Sequence, residues 1–248
     1  MSEIELGSLD GQIKEAVRRF WSTRQNATRS QELRGTLDQG QRSATTSGKN
    51  LDGFVELIAQ IVKSSGLKGA HVYTDRKDIT LPGFFRATKD WDLLVIQGGR
   101  LLAALELKSQ VGPSFGNNFN NRTEEAIGTA HDFWTAVREG ALSRQPRPFT
   151  GWIILVEEAE GSTRAILRDN AKHFPSFPEF ARSSYIDRYE LLCTKMVAEG
   201  LYTQASLITA RRENADEGLY REVSDATSFR RFVASFSAHL LAEKAVQS

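Results

Sequence analysis

The segment that most constrains the fold of this chain is residues 89–108, with the sequence KDWDLLVIQGGRLLAALELK. Two apolar runs, at residues 93–96 and 101–107, flank the glycine pair Gly98 and Gly99. Apolar runs on either side of such a pair are typical of two antiparallel strands joined by a tight loop. The segment therefore predicts a β-hairpin.

The length of the loop decides which side chains of the two strands face each other. With a two-residue loop, Asp92 faces Leu105, and Glu106 points to the other side of the sheet. With a three-residue loop, residues 98–100, Asp92 falls opposite Glu106 and on the same face as Lys108. The second register gathers the three charged side chains, and the site predicted below depends on it.

In that register the Cβ atoms of Asp92 and Glu106 lie roughly 4.5–5.5 Å apart, where like charges repel and a cation between them is stabilising. Two carboxylates at this separation suit Mg²⁺, a hard cation that takes oxygen ligands and keeps several waters. The ammonium of Lys108 beside them is placed to orient a water or to hold an anionic oxygen of the group under attack. The substrate that this combination indicates is a phosphodiester.

A plainer interpretation competes with this one. The spacing acid-x13-Glu-x-Lys is short enough to arise by chance, and both acids would then lie at the exposed ends of an ordinary hairpin. Against it, Glu106 and Lys108 interrupt an otherwise apolar run, LLAALELK, where an unpaired buried charge is costly. Costly charges of this kind are concentrated at functional sites.

Length and composition indicate one domain with a sizeable core, since the chain has 248 residues of which 40% are hydrophobic. The formal net charge of +1 gives no overall positive field, so it does not by itself indicate nucleic-acid binding. Basic residues can still be concentrated locally. The prediction is a single domain over residues 1–248.

Cysteine usage and the N-terminus indicate a soluble cytoplasmic protein. Cys193 is the only cysteine, which excludes an intramolecular disulfide and suits a reducing compartment. The first residues lack the pattern of a signal peptide, and no run approaches the ~18 apolar residues of a membrane span. The four histidines are scattered and form no Cys/His cluster at zinc spacing, which argues against zinc.

Apolar periodicity predicts helices at about residues 10–22, 51–64, 123–139, 185–199 and 224–244, and strands at about 71–81, 152–156, 163–167 and 201–210. The alternation of helices and strands indicates an α/β domain. Glu56 lies off the apolar stripe of the second helix, where a solvated glutamate fits better than a metal ligand. His131 and Asp132 are neighbours on a helix and point in different directions, which argues against a catalytic pair.

Two polar segments are candidates for contact with DNA. Residues 22–50 form the most basic segment, with five Lys or Arg against two acids; it is either a solvated surface region or a phosphate-contacting arm that orders on DNA. Residues 109–122 predict a loop dense in Gly, Asn and Ser. This loop is either simply rich in turn-forming residues or a base- and phosphate-contacting element, in which amides and a guanidinium read base edges. The side chains in question are Asn117, Asn118, Asn120, Asn121 and Arg122.

Two longer fragments, PGFFRATKDWDLLV and LELKSQVGPSFGNNFNNRTEEA, resemble those of the XhoI family of type II restriction endonucleases. The similarity extends over most of the chain and is densest from about Pro82 to Gly140. It implies the PD-(D/E)xK nuclease fold, an α/β, restriction-endonuclease-like core with a mixed β-sheet flanked by helices. It assigns Asp92, Glu106 and Lys108 to the matching catalytic positions, with both acids as Mg²⁺ ligands. Trp91 stands where the motif has proline, at a position that supplies no metal ligand.

The same resemblance implies a homodimer that cuts both strands of double-stranded DNA at the palindrome CTCGAG and leaves 5′ overhangs. A two-fold palindrome suits a two-fold protein, because each protomer can present one active site to one strand. The family also implies a cognate DNA methyltransferase as functional partner. The expected mechanism is Mg²⁺-assisted, in-line attack of water on a backbone phosphorus.

Two other classes stay open on the sequence. A repair nuclease of the same fold would share the Asp, Glu and Lys set and would cut by DNA structure instead of sequence. A non-catalytic DNA-binding regulator would account for the basic and Asn-rich segments, but it would not account for the complete set of three charged residues.

Overall fold

A computed structural model of the chain describes residues 6–33, 48–167 and 173–246. The α-helices have the bounds α1 Leu6–Leu33, α2 Asp52–Ser64, α3 Phe115–Arg138, α4 Glu160–Thr163, α5 Tyr185–Ala198 and α6 Phe229–Ala245. The strands have the bounds β1 Ala70–Tyr73, β2 Thr80–Pro82, β3 Thr88–Asp90, β4 Leu93–Gln97, β5 Arg100–Gln110, β6 Phe149–Glu157, β7 Gln204–Ala210 and β8 Tyr220–Glu222. Short 3-10 helices cover Gly48–Leu51, Pro178–Phe180 and Arg212–Asn214.

A six-stranded mixed sheet forms the centre of the molecule, with the strand order β1-β4-β5-β6-β7-β8. Strands β5, β6 and β7 run parallel, whereas β1, β4 and β8 pair antiparallel with their neighbours. Strands β2 and β3 form a separate antiparallel pair. All nine residues of β6 are buried, as expected for a central strand covered on both faces.

Helices cover the sheet on both faces and create two apolar cores. The first core joins α1, α2 and α6 to side chains such as Leu105, Ile153 and Ile208. The second joins α3 and α5 to the alternate side chains of the same strands, such as Ala104, Trp152 and Leu207. This is an α/β structure with a mixed sheet between helices, so the predicted fold class is confirmed.

The predicted hairpin is β4–β5, and its register combines features of both predicted loops. The turn has two residues, Gly98 and Gly99, which both adopt positive φ (55° and 79°), as a tight hairpin turn requires. The prediction of a three-residue loop was therefore wrong. A bulge then adds one residue to β5: Ile96 pairs with Leu101, and Val95 pairs with Ala103. The next pairs follow the register of the predicted three-residue loop.

The first helix is longer than predicted and includes the first part of the basic segment, residues 22–33. Among residues 8–29 the last buried side chain of this helix is that of Trp21, yet the helix continues to Leu33, and no Gly or Pro interrupts the sequence between Trp21 and Gly35. Residues 22–33 are therefore helical, and their contact with phosphates stays a prediction. Of the rest of the basic segment, residues 34–47 lie outside the described residues and residues 48–50 belong to the 3-10 helix Gly48–Leu51.

The prediction of an irregular loop at residues 109–122 was wrong. Strand β5 extends to Gln110, and α3 begins at Phe115, so the Asn-rich run forms the first two turns of the helix. Asparagine favours helices weakly, but Phe115 and Phe119 lie one turn apart and pack on the aromatic rings of Tyr185 and Tyr189 in α5. Tertiary packing therefore outweighs local propensity here.

The predicted strand at residues 163–167 was also wrong, since α4 ends at Thr163 and no strand follows within the described residues up to 167. The Ser162 hydroxyl donates to the Glu157 carbonyl at 2.6 Å and stabilises this short helical turn.

The edge of the sheet beside β7 is formed by β8, which the sequence did not predict. The region 71–81 forms two short strands, β1 and β2, instead of one. No described helix is both long and apolar enough to cross a membrane.

The buried carboxylate of Asp132 on α3 stabilises the turn between β2 and β3 through hydrogen bonds. Asp132 Oδ1 accepts hydrogen bonds from the main-chain N–H groups of Phe84 and Phe85, at 2.7 Å each, and Oδ2 accepts one from Arg86 Nε at 2.9 Å. Burial alone would raise the Asp132 pKa, but these donors outweigh it and hold the pKa below its ordinary value. Asp132 thus has a structural role, in agreement with the prediction that it forms no catalytic pair with His131.

Replacing Asp132 with asparagine is expected to lower the free energy of unfolding at pH 7 by about 1.5–3 kcal/mol, the range for hydrogen bonds to a charged group. Because folding depresses this pKa, the stabilisation is present above the unfolded value of 3.8 and is lost as pH falls through the folded value. Urea unfolding of both proteins should show a constant difference from pH 7 to about pH 5 that shrinks below 3.8. The exposed Asp216→Asn is the control, and an equal loss there would contradict this role.

Candidate active site

The hairpin brings Asp92, Glu106 and Lys108 together on one face of the sheet. Asp92 directly precedes β4, and its main-chain N–H donates to the Leu105 carbonyl at 3.1 Å. The paired residues of the hairpin end at Leu93 and Leu105, which leaves Asp92 and Glu106 as the next residues of the two strands. Glu106 and Lys108 project to the same side because they are two residues apart on β5.

The Lys108 ammonium bridges the two carboxylates. Its Nζ lies 3.2 Å from Asp92 Oδ2 and 3.1 Å from Glu106 Oε2. Asp92 Oδ2 also accepts the main-chain N–H of Leu107 at 2.8 Å, which fixes that carboxylate against β5. The side chains differ in exposure: 39% for Asp92, 19% for Lys108 and 1% for Glu106. The site therefore has one buried acid and one acid that solvent can reach.

Ion pairing keeps the buried acid charged. Burial alone would raise the Glu106 pKa, but the ammonium groups of Lys108 and Lys89 outweigh burial and hold the pKa below its ordinary value. The reverse holds for Lys108, where burial alone would lower the pKa and the carboxylates of Glu106 and Asp92 raise it. In this arrangement Lys108 is a protonated donor.

Sequence reasoning missed one member of this cluster, Lys89. Its ammonium contacts Glu106 Oε1 and the main-chain oxygen of Asp90. Lys89 lies on β3, and the chain must bend between β3 and β4 for its side chain to reach β5. Periodicity within one strand carries no signal for such a bend, so nothing in the local pattern marked this lysine.

Asp92 and Lys108 line an open cleft of about 760 Å³ at the edge of the sheet. Glu56 of α2 and Arg122 of α3 line the same cleft. Glu56 is paired with Arg19, whose Nη2 donates to its Oε1 at 2.8 Å, and its side chain is 57% exposed, so this glutamate is solvated, as predicted, and ion-paired. Arg122 is paired with Glu125.

The four asparagines predicted to contact DNA lie on the first two turns of α3. Asn117, Asn120 and Asn121 are exposed, whereas Asn118 is half-buried. None of the four lines the cleft that holds Asp92 and Lys108, whereas Arg122, one position after Asn121, does. Contact of these five side chains with bases or phosphates stays a prediction.

The donor atoms of the site fit a hard divalent cation. The Asp92 and Glu106 carboxylates supply oxygen ligands, and among the described residues the Oδ1 atom of Asp92 accepts no hydrogen bond. Across the same residues no three His, Cys, Asp or Glu side chains converge, so the protein offers two carboxylates and water would complete the coordination. This composition suits Mg²⁺ and does not suit zinc.

The chain is an α/β domain whose mixed sheet carries the Asp, Glu and Lys set at β4 and β5, and it has a restriction-endonuclease-like fold. Comparison with protein families agrees: the model described as "Restriction endonuclease XhoI" matches residues 30–222. The chain therefore belongs to the XhoI family of restriction endonucleases. Comparison with solved structures finds no match.

Three relatives are type II restriction enzymes. The type II restriction enzyme XhoI of Xanthomonas vasicola is 52% identical over 198 residues, which cover 79% of each chain. The type II restriction enzyme AbrI of Azospirillum brasilense is 54% identical over 69% of this chain and 76% of its own. The type II restriction enzyme BstVI of Geobacillus stearothermophilus is 42% identical over 85% of this chain and 96% of its own. The protein is accordingly a type II restriction enzyme.

Proposed function

We propose that this single-domain enzyme cleaves both strands of DNA at CTCGAG in a Mg²⁺-dependent reaction that leaves 5′ overhangs. The family resemblance supports the recognition site and the position of the cut. The observation that carries the chemistry is the position of Lys108 Nζ, 3.2 Å from Asp92 and 3.1 Å from Glu106, beside an open cleft. A cluster of this kind suits hydrolysis of a phosphodiester.

In the proposed reaction each of the three residues has its own role. Asp92, the more exposed acid, and the buried Glu106 would hold Mg²⁺, which would supply positive charge at the phosphate and activate water. Lys108 donates to the attacking water or to a phosphate oxygen, where a fixed positive donor is most effective as negative charge develops. The Leu107 N–H keeps Asp92 oriented toward β5.

The proposal extends to the assembly and its partners. A homodimer would present one active site to each strand of the palindrome. Contacts to bases and phosphates are proposed for the start of α3, from the exposed asparagines and Arg122. A cognate DNA methyltransferase would protect the cell's own sites, and both enzymes would act on DNA in the cytoplasm.

The test uses two plasmids that differ at one place. The first carries a single CTCGAG site, and the second carries GAGCTC there, a palindrome of the same base composition. Each is incubated with the purified protein in Mg²⁺ and in EDTA. Only the CTCGAG plasmid is expected to become linear, only with Mg²⁺, and sequencing of the ends should show 5′ overhangs.

Other outcomes separate the competing classes. Cleavage of both plasmids would keep the nuclease and discard the proposed specificity. Cleavage only at bubbles or branched DNA would favour a structure-specific nuclease. Binding to CTCGAG with no cleavage under any metal tested would favour a non-catalytic regulator.

A further inference from the structure

The buried Glu106 carboxylate is held by two ammonium groups that come from different strands. Lys108 Nζ lies 3.1 Å from Oε2, and Lys89 contacts Oε1. Both oxygen atoms of a side chain that is 1% exposed are therefore occupied by cations. A divalent metal that uses Oε1 has to take the place of Lys89.

The two lysines are held differently. Lys108 bridges Glu106 and Asp92, so it is fixed from both sides. Among the carboxylates of the described residues, Lys89 pairs only with Glu106. It also contacts the Asp90 main-chain oxygen and the ring of Trp91, 5.8 Å away. Its side chain is 23% exposed and lies on the short β2–β3 pair, outside the main sheet. Lys89 is the lysine that can swing into solvent without breaking the bridge.

Charge balance points the same way. Two carboxylates and two ammonium groups form a neutral cluster, so a divalent cation added to all four would leave an excess of two positive charges around a buried acid. Excess charge at a poorly hydrated position is costly. Release of one ammonium reduces that excess, and Lys89 is the group free to leave.

We infer that Lys89 is a built-in counter-cation: it occupies Glu106 Oε1 in the metal-free protein and is displaced when Asp92 and Glu106 bind a divalent cation. This inference rests on the proposed metal site. It makes Lys89 a positioning residue that competes with the metal and keeps the buried acid compensated until metal arrives.

The test measures Mn²⁺ binding to the DNA-free protein, with free Mn²⁺ followed by electron paramagnetic resonance. Lys89→Met and Lys89→Gln are both expected to lower the Mn²⁺ dissociation constant by about tenfold or more, because they remove a positive charge next to the metal. Lys89→Arg keeps that charge and should bind Mn²⁺ as the wild type does. Lys77→Met, at an exposed lysine, is the matched control and should change nothing.

A second readout follows from the missing counter-charge. Without metal, Lys89→Met should unfold at a lower temperature than the wild type, and saturating Mn²⁺ should recover more of its stability than it does in the wild type. An unchanged or higher Mn²⁺ dissociation constant in both neutral variants would overturn the inference.

Asp92→Asn separates this inference from the proposed site. If Asp92→Asn abolishes Mn²⁺ binding while the Lys89 variants bind as the wild type does, the metal site stands and the role of Lys89 is overturned. If Asp92→Asn binds Mn²⁺ as tightly as the wild type, the metal lies elsewhere and both proposals fall.

Discussion

Replacing Lys108 with methionine is expected to lower the rate of DNA cleavage by about 10²–10³-fold or more, the cost of removing one fixed donor from a developing negative charge. Methionine has a similar length and no charge, so the bridge between Asp92 and Glu106 is lost while Lys89 still compensates the buried acid. The measurement is single-turnover cleavage of a duplex that contains CTCGAG.

The same variant should still bind the duplex within a few-fold of the wild type, as followed by fluorescence anisotropy without divalent metal. The exposed lysine variant Lys77→Met is the control for loss of a surface charge and should cleave normally. Normal turnover by Lys108→Met would remove this lysine from the mechanism. A parallel loss of binding and circular-dichroism signal would show that the substitution unfolds the protein.

Replacing Gly218 with alanine is expected to lower the free energy of unfolding by about 2–5 kcal/mol, the sum of left-handed backbone strain and overpacking. Gly218 has a φ of 65°, and an added Cβ would lie 2.1 Å from the main-chain oxygen of Lys14 in α1. Main-chain atoms within a helix cannot rotate away, so α1 and the segment that contains Gly218 would have to move apart. Urea denaturation monitored by tryptophan fluorescence measures the loss.

Gly69→Ala separates the two causes. Gly69 has a similar φ of 73°, but an added Cβ there meets no atom within 4 Å. It should therefore cost only the backbone strain, about 1–2 kcal/mol. Equal losses at both positions would show that the contact between residue 218 and α1 has no energetic weight.

The parts of the fold that the sequence predicted share a strong local pattern. The second helix, α5 and the central strand β6 each have one apolar period or run that their surroundings do not contradict. Helix α3 shows the limit. Its first two turns look like a loop because asparagine is a weak helix former, and packing on the rings of α5, distant in sequence, favours the helix there.

The site shows the same division between local and distant information. The alternation of β5 predicted that Glu106 and Lys108 share a face, and they do. The contact of Lys89 depends on the bend between β3 and β4, and the pairing of Glu56 with Arg19 depends on how α1 packs on α2. Both contacts come from the packing of separate elements, which periodicity within one element does not encode.

The register of the hairpin was predicted for the wrong reason. The three-residue loop was chosen because it sets Asp92 opposite Glu106, and the structure reaches the same register at residues 93–95 with a two-residue turn and one extra residue, Leu102. Leu102 and its neighbour Ala103 both belong to the same apolar core, which breaks the alternation expected of a strand. Packing against that core stabilises the bulge, and rules that relate turn length to strand register do not include such packing.

Because Leu102 is an extra residue, the number of residues between Asp92 and Glu106 can change by one while the two side chains keep their positions in the site. If Leu102 were deleted, Val95 and Ala103 would still pair, β5 would alternate regularly, and Leu93 would still pair with Leu105, next to Asp92 and Glu106. Enzymes with twelve residues between the acids in place of thirteen can therefore carry the same site on a straight strand. A search for this enzyme class by fixed spacing would pass over them, whereas a search by strand pairing would find them.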